Sequence, residues 1–93
     1  MLSIREAWNS LYSLLDEIKV GHEKLQGVES KDSRHLYADL EQKEEIWTAW
    51  IGLMDAASGE IRIVIGEKGQ KLIGEGFEAE EAVSELRGKW KEK

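Results

Sequence analysis

The chain has 93 residues, of which 41% are hydrophobic and 34% charged, and a formal net charge of −6. That balance excludes the charge-rich, apolar-poor composition of a disordered segment, and a chain this short is expected to form one domain, residues 1–93. With no cysteine, disulfides, thiolate metal sites and a cysteine nucleophile are excluded.

The first residues, Met1-Leu2-Ser3-Ile4-Arg5-Glu6, form no signal-type apolar core, and no uncharged run approaches the roughly 20 residues that span a bilayer. A cytoplasmic setting is the expectation. Ser3 as N-cap and Glu6 three residues on form a capping box, so a helix is predicted from Ile4 to about Gln26. Its apolar ladder runs Ile4, Trp8, Leu11, Leu15, Ile18, His22, Leu25. Gly21 interrupts it at a cost of about 1 kcal/mol relative to Ala, and Gly27 is the natural stop. After the turn residues 27–33, a second ladder of Tyr37, Leu40, Glu44, Trp47, Ile51 and Met54 predicts a helix from about Arg34 to Ala57.

Antiparallel pairing of the two ladders sets Ile4 opposite Met54, Trp8 opposite Ile51, Leu11 opposite Trp47, Ile18 opposite Leu40 and His22 opposite Tyr37. Residues 4–57 then form a long antiparallel helical hairpin that folds back near Glu29. The period changes at Glu60-Ile61-Arg62-Ile63-Val64-Ile65, a β-branched stretch predicting a strand with Ile61, Ile63 and Ile65 towards the core. Gly66-Glu67-Lys68-Gly69 supplies a turn and Gln70 to Ile73 a second strand that continues towards Gly76, giving a two-stranded β-hairpin. From Glu78, the apolar positions Ala79, Ala82, Val83, Leu86 and Trp90 return to helical spacing, with acids at the start and bases at the end to complement the macrodipole. The predicted class is α+β in the order ααββα, with 58–93 as a ββα unit. Two strands alone leave open edges and the helical hairpin has an apolar face wider than one seam, so a homodimer is expected.

Residues 1–57 carry 11 acids against 6 Lys and Arg, whereas residues 58–93 carry 8 against 7. An acidic hairpin lacks the basic footprint that neutralises duplex phosphates and suits a basic protein partner better. Four tryptophans are many for this length. Trp8 and Trp47 belong to the ladders as core, and Trp50 and Trp90 are candidate interface anchors. The candidate partner-binding residues are Tyr37, Glu41, Glu44, Glu45, Trp47 and Trp50, together with Trp90.

No nucleophile elbow or phosphate-binding loop occurs. His22 and His35 cannot complete a structural zinc site without cysteine, and Glu41, Glu44, Glu45, Asp16 and Glu17 read as solvated flanks of the helical seam. No metal, cofactor or enzymatic activity is expected. Ile65-Gly66-Glu67-Lys68-Gly69-Gln70-Lys71-Leu72-Ile73 is similar to the I-G-x-x-G-x-x-I core of KH domains, whose Gly-x-x-Gly loop clamps single-stranded nucleic acid. That family places the loop between two helices, whereas alternating β-branched residues precede it here.

The expected function is therefore a non-enzymatic, acidic protein-binding module, an adaptor, regulator or inhibitor, one form of which is a mobile-element inhibitor mimicking nucleic acid. The alternative is nucleic-acid binding through Arg62, Lys68, Lys71, Lys89 and Lys91, with the Gly66 to Gly69 loop and the basic tail as the contact.

Overall fold

A computed structural model describes residues 4–92, so the proposed Ser3 cap lies outside the described residues. The fold is α+β: a helix, a four-stranded antiparallel sheet and a C-terminal helix. Helix α1 spans Ile4–Val20 and buries Ala7, Leu11, Leu14, Leu15 and Ile18, the stripe that the 3.6-residue period assigns to one face. It stops short of Gln26, at Gly21. A Cβ there would come within 2.9 Å of Trp90 Cζ2, so the glycine lets the C-terminal helix approach as the chain turns away. Residues 21–35 then form two 3-10 turns, His22–Lys24 and Ser30–His35, while Leu25 and Val28 reach back into the core.

The second predicted helix is replaced by a β-hairpin. Strand β1 spans Leu36–Lys43 and β2 spans Ile46–Met54, paired from Leu36 opposite Leu53 to Lys43 opposite Ile46. The chain therefore doubles back at Glu44-Glu45 rather than near Glu29. Glu44 has φ +59°, at the first central position of a two-residue loop, where a type II′ turn calls for glycine. Residues 36–54 satisfy the three-and-four spacing of a helix, but they also alternate. Leu36, Ala38 and Leu40 on β1, with Ala49 and Ile51 on β2, are buried on one face. The strand wins because that register also satisfies β2's backbone on both edges, and because Ile46-Trp47-Thr48 is β-branched and aromatic. None of the predicted interhelical pairs forms as such. His22 Nδ1 donates to the Lys19 carbonyl at 3.2 Å, and Tyr37 sits in β1 opposite Gly52.

Strands β3, Ile61–Ile63, and β4, Ile73–Gly76, also depart from expectation, since they share one partner. Both lie along the second edge of β2: Ile63 pairs with Gly52 and Ile73 with Trp50, so ten residues of chain advance the ladder by two positions. The intervening residues turn out as a small hairpin, with Gly66 N–H donating to the Gln70 carbonyl and Leu72 N–H to Val64. The turn predicted at Gly66 to Gly69 is present within it, and Gly69 has φ +85°. The register is one residue off the predicted one. Val64 is fully buried, while Ile61 is 45% exposed.

Helix α2 spans Ala79–Trp90 and is N-capped by Glu78, whose backbone N–H donates to Glu81 Oε1 at 3.0 Å. It lies directly on β4: a Cβ on Gly74 would collide with the Ala82 carbonyl and the Leu86 amide. Arg87 Nη2 donates to the Ser10 carbonyl at 3.3 Å, joining α2 to α1. Leu11, Leu14, Ile18, Ile51, Val64, Leu72 and Leu86 are sealed in one cluster between the helices and the sheet, each stabilising the fold by about 1.5–3 kcal/mol. Among the described residues no helix is long and apolar enough to cross a membrane.

Candidate functional site

Residues paired across a sheet share a face. The odd positions of β2, Trp47, Ala49, Ile51 and Leu53, belong to the core or pack on it, as do the even positions of β1 from Leu36 to Leu40. The opposite parity therefore projects from the side away from both helices. On that side stand Tyr37, Asp39 and Glu41 from β1, Thr48, Trp50 and Met54 from β2, Ile61 and Ile63 from β3, and Ile73 and Glu75 from β4.

Trp50 organises the middle of this open face. Its ring meets Tyr37 edge-on, with centroids 5.3 Å apart, and its indole Nε1 donates to Glu41 Oε1 at 3.2 Å. Gly52 makes room for it, since a Cβ there would fall 2.5 Å from Trp50 Cζ3 and 3.0 Å from Ile61 Cγ2. Ile73 lies directly across from Trp50. The result is a low aromatic and aliphatic platform with acids at its margin. Burial raises the Tyr37 phenol pKa, and the neighbouring Asp39 and Glu41 charges push it further up, so the ring presents a neutral hydroxyl. A shallow depression of about 400 Å³, lined by Lys43, Glu44, Ile46, Thr48 and Glu75, continues the face towards the hairpin tip.

The structure brings Tyr37, Glu41 and Trp50 together on this platform. Glu44 and Glu45 stand apart at the tip, exposed, where their charges border it. Trp47 is on the helix side, packed on the core, and Trp90 closes α2 against Gly21 with Lys24 Nζ 5.8 Å from its ring centroid. Met54, Ile61, Ile63 and Ile73 complete the platform although sequence reasoning did not place them there. Reading residues 46–54 and 61–63 with a period of two would have gathered most of them.

Of the basic residues, Arg62 Nη2 donates to the Gly27 carbonyl at 3.2 Å. Lys68 and Lys71 sit on the turned-out hairpin, which Gln70 Nε2 fastens to the end of α2 through the Lys89 carbonyl at 2.9 Å. Lys68 and Lys89 are thus brought to one corner of the molecule, with Lys91 following at the C-terminal end of α2. The Gly66 to Gly69 loop joins extended segments, unlike the helix-flanked loop of KH domains. No three His, Asp or Glu side chains among the described residues converge as metal ligands.

The β1 edge bears on how a partner could dock. No further strand pairs with it among the described residues, and Asp39 Oδ1 accepts from the Leu40 N–H at 2.9 Å. A carboxylate on an edge amide blunts strand addition there, which leaves the face as the better docking surface. Comparison with protein-family models, curated proteins and solved structures gives no match for this chain.

Proposed function

We propose that the chain is a non-enzymatic protein-binding module that docks a basic partner on the open face of its sheet. The observation that carries this reading is an apolar centre, Tyr37 and Trp50 with Ile61 and Ile73, bordered by Asp39, Glu41 and Glu75 on the side of the sheet that neither helix covers. Large aromatics held in place by neighbours lose little rotamer entropy on binding and supply most of the energy of an interface, while charged margins choose the partner and speed encounter. A partner segment with apolar side chains flanked by Lys or Arg fits both parts. A second copy in the same place would bring like acids together, so the charge pattern favours a heterologous partner over a homodimer on this face. The acids of the tip and β1 extend the border, and a target that normally holds nucleic acid in a basic groove is the form of partner they suit.

The test is capture of partners from the native host with the wild-type chain, followed by the same capture with Trp50→Ala, with Glu41→Lys and Glu75→Lys combined, and with Trp90→Ala. The reading expects the first two to lose the partner and the third to keep it. A partner held equally by all would refute it. Competition by duplex DNA for the captured partner tests the mimicry form. Light scattering of the isolated chain tests self-association, and a dimer abolished by Trp50→Ala would assign the face to a second copy instead.

A second reading rests on the Gln70 to Lys89 hydrogen bond, which gathers Lys68 and Lys89 at one corner. Single-stranded nucleic acid bound there would weaken steeply with salt, and no binding at low salt would end that reading.

A further inference from the structure

A cleft of about 530 Å³ opens at the far end of the sheet from the β1–β2 tip, between the 3-10 turn Ser30–His35, the end of β2 and the loop leading into β3. Its volume falls in the range of small-ligand sites. At the strand ends Leu53, from the helix side of the sheet, and Met54 and Ile61, from the open side, supply its apolar part, with Arg62 of β3 and Lys31 and Arg34 of the 3-10 turn also lining it. What distinguishes the cleft is its unspent hydrogen-bond donors. Arg34 Nε donates to His35 Nε2 at 3.4 Å and Arg62 Nη2 to the Gly27 carbonyl, yet neither guanidinium forms a salt bridge among the described residues. The rest of each planar fork remains available.

The acids that line the same cleft are differently placed. Asp55 Oδ1 accepts from the backbone N–H groups of Ala57 and Ser58, at 2.8 and 3.0 Å, and Asp32 Oδ2 from that of Glu29 at 3.0 Å. Each gives one oxygen to shaping its own turn. Glu60, exposed, is the remaining acid. Lys31, Arg34 and Arg62 thus balance Asp32, Asp55 and Glu60 in formal charge around the cleft, and what favours an oxyanion is the fork geometry of two guanidinium groups without a salt bridge among the described residues, beside apolar side chains, which gives charge-assisted bonds.

We infer that this cleft binds a small organic oxyanion, a carboxylate or phosphate monoester carrying an apolar group, with Arg34 and Arg62 on the oxygens and Leu53, Met54 and Ile61 against the apolar part. The cleft shares Met54 and Ile61 with the open face, but a small ligand here requires no protein partner, so the two readings can fail separately.

Amide NMR titration of the whole chain with benzoate, phenyl phosphate, inorganic phosphate and neutral benzyl alcohol tests it. Benzoate or phenyl phosphate should give saturable shifts confined to residues 31–35 and 53–62, and the tighter of the two identifies the head group. Arg34→Gln and Arg62→Gln should each weaken that ligand by about tenfold, the loss expected for one charge-assisted contact. Glu60→Gln should tighten it by removing a repulsive charge. Arg34 is exposed, so its variant is expected to keep the native amide spectrum; Arg62→Gln also loses the bond to Gly27, so its affinity is read against its own ligand-free spectrum, and Glu60→Gln reads the opposite direction in any case. Absence of saturation with either organic anion, equal binding of benzyl alcohol, or unchanged affinity in both arginine variants would overturn the inference. Inorganic phosphate binding as tightly as phenyl phosphate would overturn the role of the apolar wall.

Discussion

Thr48 and Ala49 are neighbours in sequence and face opposite sides of the sheet, so placing a lysine at each in turn tests the architecture on which the open face depends. Ala49 is fully buried, opposite Leu40 on β1 and Gly74 on β4. Gly74 in turn lies against the backbone of α2 at Ala82 and Leu86, which leaves no channel for a longer side chain. Ala49→Lys combines overpacking of about 1–3 kcal/mol with burial of an unpaired ammonium at several kcal/mol more. The total, about 5 kcal/mol or above, is comparable to the whole stability of a domain this size, about 0.05–0.15 kcal/mol per residue. Thr48 projects to the open face, where a lysine should change stability by no more than about 0.5 kcal/mol. Ala49→Val is a milder probe, costing about 1–3 kcal/mol and lowering Tm by about 4–8 °C for each. Thermal and urea unfolding followed by far-UV circular dichroism reads all three. On the helical ladder of Leu40, Glu44, Trp47 and Ile51, Ala49 would point to solvent, so an Ala49→Lys chain with native stability would refute the sheet. A Thr48→Lys variant more damaged than Ala49→Lys would refute the assignment of faces.

Further expectations follow from single positions. Glu44 holds a left-handed backbone that costs a non-glycine residue about 1–2 kcal/mol, so Glu44→Gly should raise the urea midpoint, and a lower midpoint would show that the turn has another geometry. Gly74→Ala forces a methyl into the backbone of α2 and should cost about 3 kcal/mol, the upper end of the overpacking range because the obstruction is not a flexible side chain; a Tm within about 2 °C of wild type would contradict the close approach. Hydrogen bonds from the Ser58 and Ala57 N–H groups hold the Asp55 carboxyl below its usual pKa. Its contribution is therefore present above the unfolded-state pKa and lost as pH falls through the lower folded-state value. Side-chain NMR titration should place Asp55 among the more acidic carboxyls, and Asp55→Asn should flatten the local acid dependence at residues 55–59; an unshifted titration would remove the turn bonds.

What could be read from the chain was its strongly periodic and strongly punctuated parts. Helix α1 follows from Leu11, Leu15 and Ile18 at helical spacing, and α2 from an acidic start at Glu78 and a basic end at Lys89. The turn at Gly66 to Gly69 was announced by its glycines. The β1–β2 hairpin was hidden by its own turn, because Lys43-Glu44-Glu45-Ile46 has no Gly, Asn or Pro and is as acidic as a helix surface. Without a strand at residues 46–54, β3 and β4 lack the partner they share, and the local pattern pairs them with each other. The same hidden hairpin limits how much of the open face the sequence displays. Tyr37, Glu41 and Trp50 stood out as aromatic and acidic residues whatever the secondary structure, but Ile61, Ile63 and Ile73 reach the face only through pairing with β2, which is a property of the sheet and not of any local segment.

The four tryptophans provide built-in reporters for the central claim, because Trp50 lies on the open face while Trp47 packs on the core, Trp8 packs there beside Tyr12, and Trp90 closes α2. Indole N–H resonances of the wild-type chain, followed as the captured partner is added, should show Trp50 shifting together with the methyls of Ile61, Ile63 and Ile73 while Trp8, Trp47 and Trp90 hold their positions. A partner that moves Trp90 or Trp8 and leaves Trp50 unchanged would contradict docking on the sheet.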